Sequence, residues 1–157
     1  MAAITIRFVD AADWITAGIN WETNSLWPHV EFGTPQNTWV GAHFNGGWQE
    51  RPFDYCLPRR EAIYDIPCAL DVQVEHLARI RAQVGVLKYN RLAILGMLIR
   101  NRKLTSIHSV ICSQGVSDES LILWGPHQYL NVLPGFTHLV TPEMVHLSPV
   151  LVGHRRK

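Results

Sequence analysis

The reactive side chains of this 157-residue chain fall in two places. One is Cys112, in the run Ser109-Val110-Ile111-Cys112-Ser113-Gln114. Ser109 predicts a helix N-cap, which sets Cys112 in the first helical turn. Unpaired backbone N–H groups and the positive end of the helix dipole favour a thiolate there. They lower its pKa below the usual ~8.5 and also suit an oxyanion. A buried cysteine is otherwise a small apolar residue, so its partners decide.

The other place is a pair of strand-like runs, Trp27 to Phe32 and Thr38 to Phe44, joined by Gly33-Thr34-Pro35-Gln36-Asn37. The connection is turn chemistry, which predicts an antiparallel hairpin. Alternation puts His29 and Glu31 on one face with Trp39, Gly41 and His43. With Phe32 opposite Thr38, His29 pairs with Gly41 and His43 is a diagonal neighbour, ~7–8 Å away. A shift of two residues would set the two histidines directly opposite, and Gly41 leaves room before them. His29 is then the candidate general base for Cys112, with His43 (first choice) or Glu31 fixing its tautomer. Other readings are a merely solvent-exposed polar face and a metal site using His29, His43 and a cysteine. No Cys-x-x-Cys or His-Glu-x-x-His pair supports the latter, so neither metal nor cofactor is expected. Trp27 and Trp39 bracket the face as candidate substrate walls, and Arg51 is a candidate for a substrate carboxylate.

Around these residues, Ile4 to Phe8 alternates as a strand, and Trp48 to Arg51 starts another after Asn45-Gly46-Gly47. Asp71 predicts a helix to about Val84, with Val74, Leu77, Ile80 and Val84 inward and Gly85 as its stop. Asn90 predicts a second, through Leu92 to Ile99. Ser109 predicts a third, with Val116, Leu123 and Trp124 on one face and Gly125-Pro126 at its end. Strands first and helices second make an α+β domain, a small antiparallel sheet with helices on one side. One domain (1–157) fits the length.

The net charge of +1 and the lack of a basic stretch before His154-Arg155-Arg156-Lys157 argue against a nucleic-acid partner. No apolar run approaches the ~20 residues of a membrane span. The start, Met1 to Arg7, lacks a secretory signal, and three irregular cysteines suit a reducing cytosol.

Several segments resemble the permuted papain-like amidases, the YiiX/YaeF-like relatives of the NlpC-type cell-wall peptidases and the lecithin:retinol acyltransferases. Ser25-Leu26-Trp27-Pro28-His29-Val30-Glu31-Phe32 resembles their S-x-W/Y-S-H-V segment, with Pro28 where the family has serine. Val40 to Trp48 is similar to the next strand and its glycine turn, which supplies the third polar residue. Val86 to Asn90, Ile111-Cys112-Ser113-Gln114 and Val140-Thr141-Pro142-Glu143 are similar to three later motifs. The order is the permuted one, histidine first and cysteine last. The resemblance covers about Asp13 to Pro149. It implies a circularly permuted papain-like fold, with the helix start packed on the hairpin face so that Cys112 meets His29. It also implies thioester hydrolysis of a peptide, isopeptide, peptidoglycan-fragment or acyl-ester substrate, in a bacterial or phage setting. Acyl transfer through the same thioester, and a non-catalytic peptide- or lipid-binding domain, are the alternatives.

Overall fold

The computed structural model describes residues 1–11, 26–89, 109–110, 112–124 and 141–156. Strands β1 (Ala3–Ala11), β2 (His29–Gly33), β3 (Thr38–His43), β4 (Gly47–Pro52) and β5 (Pro58–Pro67) form one antiparallel sheet in the order β4-β3-β2-β1-β5. Helices α1 (Leu70–Ala82), α2 (Cys112–Trp124) and α3 (Pro142–His146) follow. Between α1 and α2, the two-residue strands β6 (Lys88–Tyr89) and β7 (Ser109–Val110) pair in parallel. The described residues are thus α+β, as the sequence pattern requires.

One face of the sheet is apolar at every second position. Ile4, Ile6 and Phe8 of β1 align with Val30 and Phe32, Val40 and Ala42, Trp48, and Ala62, Tyr64 and Ile66 of the neighbouring strands. Helical residues Ile80, Cys112, Val116 and Val145 join the same buried cluster. Each large side chain buried there contributes about 1.5–3 kcal/mol. α2 rests on this face through Gly115, where an added Cβ would come within 2.2 Å of the Trp48 ring. The ring is itself fixed by a hydrogen bond from its Nε1 to the Ile80 carbonyl, 2.8 Å. Helix propensity alone would make Gly115→Ala stabilising by up to ~1 kcal/mol. The clash outweighs it, and a net loss of about 1–3 kcal/mol is expected, measured as a lower thermal midpoint.

Several local expectations are corrected. β5 occupies a segment that the sequence pattern leaves without an element; proline at its first residue is compatible with a strand. Ala69, not Asp71, is the N-cap of α1, and Asp71 lies in its first turn. Val74 is exposed, while His76 and Ile80 are the buried residues of α1. Ser109 does not cap a helix but pairs with Lys88, and Cys112 is the first residue of α2. Phe44 belongs to the tight turn after β3, where Gly46 and Gly47 take positive φ (108° and 74°). Trp27 and Pro28 precede β2. The helix expected from Asn90 and the stop at Gly125-Pro126 lie outside the described residues, as does the Trp124 side chain.

The strands at the two edges, β4 and β5, are consecutive in sequence. Their link, residues 53–57, lies over the second, polar face. The Trp39 indole donates to the Phe53 carbonyl at 3.1 Å, the Phe53 and Trp39 rings stack at 5.5 Å, and Tyr55 reaches Glu31.

Candidate active site

The hairpin register is Phe32↔Val40 and Gly33↔Trp39. This is two residues from the pairing with Thr38, and continuing it sets Glu31 against Gly41 and His29 against His43. The two imidazole centroids are 4.9 Å apart. Gly41 supplies the space between strands: an added Cβ would sit 2.9 Å from the Glu31 Cβ. His29, Glu31 and His43 are therefore brought together from two strands, as their parity predicts.

Cys112 joins them by a different route from the one the resemblance implies. α2 packs on the apolar face, not on the face of Glu31. Its first residue meets the chain where β2 begins. The sulfur lies 3.9 Å from the Pro28 carbonyl oxygen, and the Val30 and Ser113 backbone N–H groups point at it. There it is also close enough to the His29 ring for each group to shift the other's pKa. The His29 Nε2 is 3.3 Å from Glu31 Oε2. His43 has no such bond to His29; its Nε2 lies 3.8 Å from the same carboxylate oxygen. Glu31, not His43, is the group placed to orient the imidazole.

Burial opposes charge on each of these groups, and their mutual contacts outweigh it for three of them. Burial would raise the Cys112 thiol, but the charge and hydrogen bond of His29 and the Val30 and Ser113 N–H groups bring it below its ordinary value. Burial would lower His29, but the Cys112 thiolate and Glu31 push it up to about 10. The Glu31 carboxyl is held low against its burial by His29, His43 and Arg7. His43 goes the other way: burial and the charge of His29 press it down to about 3, so it is a neutral imidazole at physiological pH. Cys112 and His29 thus each favour the other's charged form, with Glu31 behind the ring. Glu31 is fully buried, whereas the His29 and His43 side chains keep 18% and 13% exposure, so the imidazole edge is the part a reagent can reach.

Two further residues hold the carboxylate, and the sequence pattern had not marked either. Arg7 Nη1 donates to Glu31 Oε1 at 2.9 Å, and the Tyr55 hydroxyl lies 3.1 Å from Oε2. The Arg7 guanidinium also stacks over the Trp39 ring, 4.7 Å from its centroid. Nothing local signals these partners, which stand 24 residues on either side of Glu31. Burial and the charge of Glu31 push the Tyr55 hydroxyl well above its ordinary range, so it stays a donor.

The expected substrate walls are packing instead. Trp27 is 8% exposed, between Phe8 and His146, and Trp39 is 2% exposed, between Arg7 and Phe53. Arg51 pairs in register with Trp39 and is close enough to His43 to press its pKa down; its Nε is buried without a hydrogen-bond partner.

No family model matches the chain, and no curated protein matches it either. Among the described residues, no helix is long and apolar enough to cross a membrane.

Proposed function

We propose that this chain is a cysteine-dependent hydrolase that cleaves an amide or acyl-ester bond through a thioester, with a permuted papain-like fold. One observation carries the reading: the buried sulfur at the first residue of α2 lies near enough to His29 for each to favour the other's charged form, and the His29 Nε2 is 3.3 Å from a buried carboxylate. The resemblance of the sequence adds peptide, isopeptide and lipid-like acyl groups as the substrate class.

The Cys112 thiolate attacks the carbonyl carbon, and the carbonyl electron pair moves onto oxygen. The backbone N–H groups at the start of α2 are the natural donors to that oxyanion. As the tetrahedral adduct collapses, the His29 imidazolium gives its proton to the departing nitrogen or oxygen, leaving a thioester. His29, now neutral, takes a proton from water as it attacks the thioester. The acid leaves, and sulfur and ring return to the ion pair. Glu31 keeps the imidazole in one orientation and stabilises its charged form. With an alcohol or amine in place of water, the same thioester would give acyl transfer.

The test is alkylation by iodoacetamide in the presence of EDTA, followed residue by residue by mass spectrometry. At pH 6.5 Cys112 should react faster than Cys68, whose thiol is raised by burial and by Asp71. In His29→Ala only the Val30 and Ser113 N–H groups still oppose the burial of the sulfur, and its rate at pH 6.5 should fall about tenfold or more. Equal rates in the two proteins would refute the reading.

A further inference from the structure

We propose that His29, Glu31 and His43 also form a reversible binding site for a zinc-type divalent cation, and that its occupancy switches the thiol chemistry off. The switching part rests on the hydrolase reading; the binding part does not. No close ligand pair in the sequence suggests such a site, because the three donors come from adjacent strands and the register of β2 on β3 assembles them. One donor atom from each residue lies within 4.8 Å of the other two.

The spacing is close to what the ion needs. Zinc held at about 2.0–2.2 Å by two imidazole nitrogens and a carboxylate oxygen in a tetrahedron has donor–donor edges of about 3.4 Å. Here Glu31 Oε2 is 3.3 Å from His29 Nε2 and 3.8 Å from His43 Nε2. The His29 and His43 donors, within 4.8 Å of each other, must turn together to close the set. Two histidines and one glutamate leave the fourth position open to water.

Two observations point to a ligand. His43 Nε2 is buried and has no hydrogen-bond partner, a cost that buried polar atoms rarely bear without a reason. The carboxylate also has the outer support that metal-ligating carboxylates have: Arg7 takes Oε1, and the Tyr55 hydroxyl lies 3.3 Å from Oε1 and 3.1 Å from Oε2. The positive charges of Arg7 and, near His43, of Arg51 oppose a cation. They make the site one that releases its ion rather than a permanent structural centre. An ion on His29 Nε2 keeps the ring's proton on its other nitrogen, so the ring can no longer take the thiol's proton, and the ion takes Glu31 from its orienting role.

The experiment uses the full chain, stripped with EDTA and transferred to metal-free buffer. Zinc chloride is titrated in competition with a chromogenic zinc indicator, and cobalt(II) is added separately to read coordination from its visible spectrum. The wild type and Cys112→Ser should each bind one equivalent and give the strong visible bands of four-coordinate cobalt. His43→Ala and His43→Gln, with thermal midpoints confirming that they fold, should bind more weakly by more than the ~10–100-fold that loss of an outer partner costs. Zinc should slow iodoacetamide alkylation of Cys112 at least tenfold in the wild type and not in the His43 variants. No saturable binding, undiminished binding in folded His43 variants, or loss of binding in Cys112→Ser would overturn the proposal. So would a zinc-loaded protein whose Cys112 alkylates at the metal-free rate. A protein that binds zinc as expected, but whose Cys112 in EDTA reacts like an ordinary thiol, keeps the binding site and fails the hydrolase reading instead.

Discussion

Replacing Arg7 by methionine is expected to cost about 3–5 kcal/mol of folding stability, a large share of the 5–15 kcal/mol typical of a domain. Arg7 is 2% exposed, and Glu31, which it holds at 2.9 Å, is fully buried. Methionine fills much of the same volume between Trp39 and Tyr55 but removes the guanidinium from Oε1, leaving the buried carboxylate to His29 and Tyr55. The cost is that of a buried charge left partly unpaired rather than of a lost attraction alone. Replacing Glu31 by leucine in the same protein should therefore restore part of the loss. The pH dependence has a definite sign. The Glu31 carboxyl is depressed in the folded protein, so its contribution is present above the unfolded carboxyl value near ~4.3 and is lost as pH falls. The unfolded state is common to both proteins, so the difference between wild type and Arg7→Met should narrow as pH falls through their folded carboxyl values, the variant's first. Urea unfolding midpoints at pH 7 and pH 4 measure both effects, and an Arg7→Met protein as stable as wild type at pH 7 would contradict the account.

Glu31→Gln should have a large effect on chemistry. Glutamine keeps the shape and some of the hydrogen bonds, but it cannot stabilise an imidazolium and it can present an N–H to His29, selecting the wrong tautomer. The equivalent change in a serine triad costs about 10⁴ in turnover. A loss of about 10²–10⁴ is expected for hydrolysis of an activated ester such as p-nitrophenyl acetate, assayed in EDTA by release of p-nitrophenolate. His43→Ala should lose less, because His43 does not hydrogen-bond His29. If the order were reversed, with His43 the more costly residue, Glu31 would not be the orienting group.

The sequence shows the hairpin clearly, because Gly33 to Asn37 can only turn and the flanking residues alternate. From that, the common face of His29, Glu31 and His43 follows. Its register does not follow, since the same turn residues accommodate either pairing, and that choice decides whether the histidines are diagonal or opposite. Cys112 is legible as a residue at a helix start, but Ser109 misleads as a cap. The helix begins at Cys112, three residues further on, and Ser109 instead pairs with Lys88. β5 is hidden by its composition: prolines bound it and three charged residues, Arg59, Arg60 and Glu61, open it, leaving Ala62, Tyr64 and Ile66 as its only inward signal. Arg7 and Tyr55 are illegible for a simpler reason. Their partner is set by strand order, which no local pattern encodes.

The order of the strands also bears on the shape of the sheet. Five strands laid flat would hold β4 and β5 about 19 Å apart. The link between them cannot stretch that far with slack to spare, because Tyr55 N–H closes a tight turn on the Pro52 carbonyl at 3.2 Å. A turn spans less than about 7 Å and the three remaining steps to Pro58 at most about 11 Å, so the reach is about 18 Å. The edges must therefore curl toward each other around Arg7 and Glu31. A shorter link would tighten that curvature and crowd the carboxylate, while a longer one would let water in beside it.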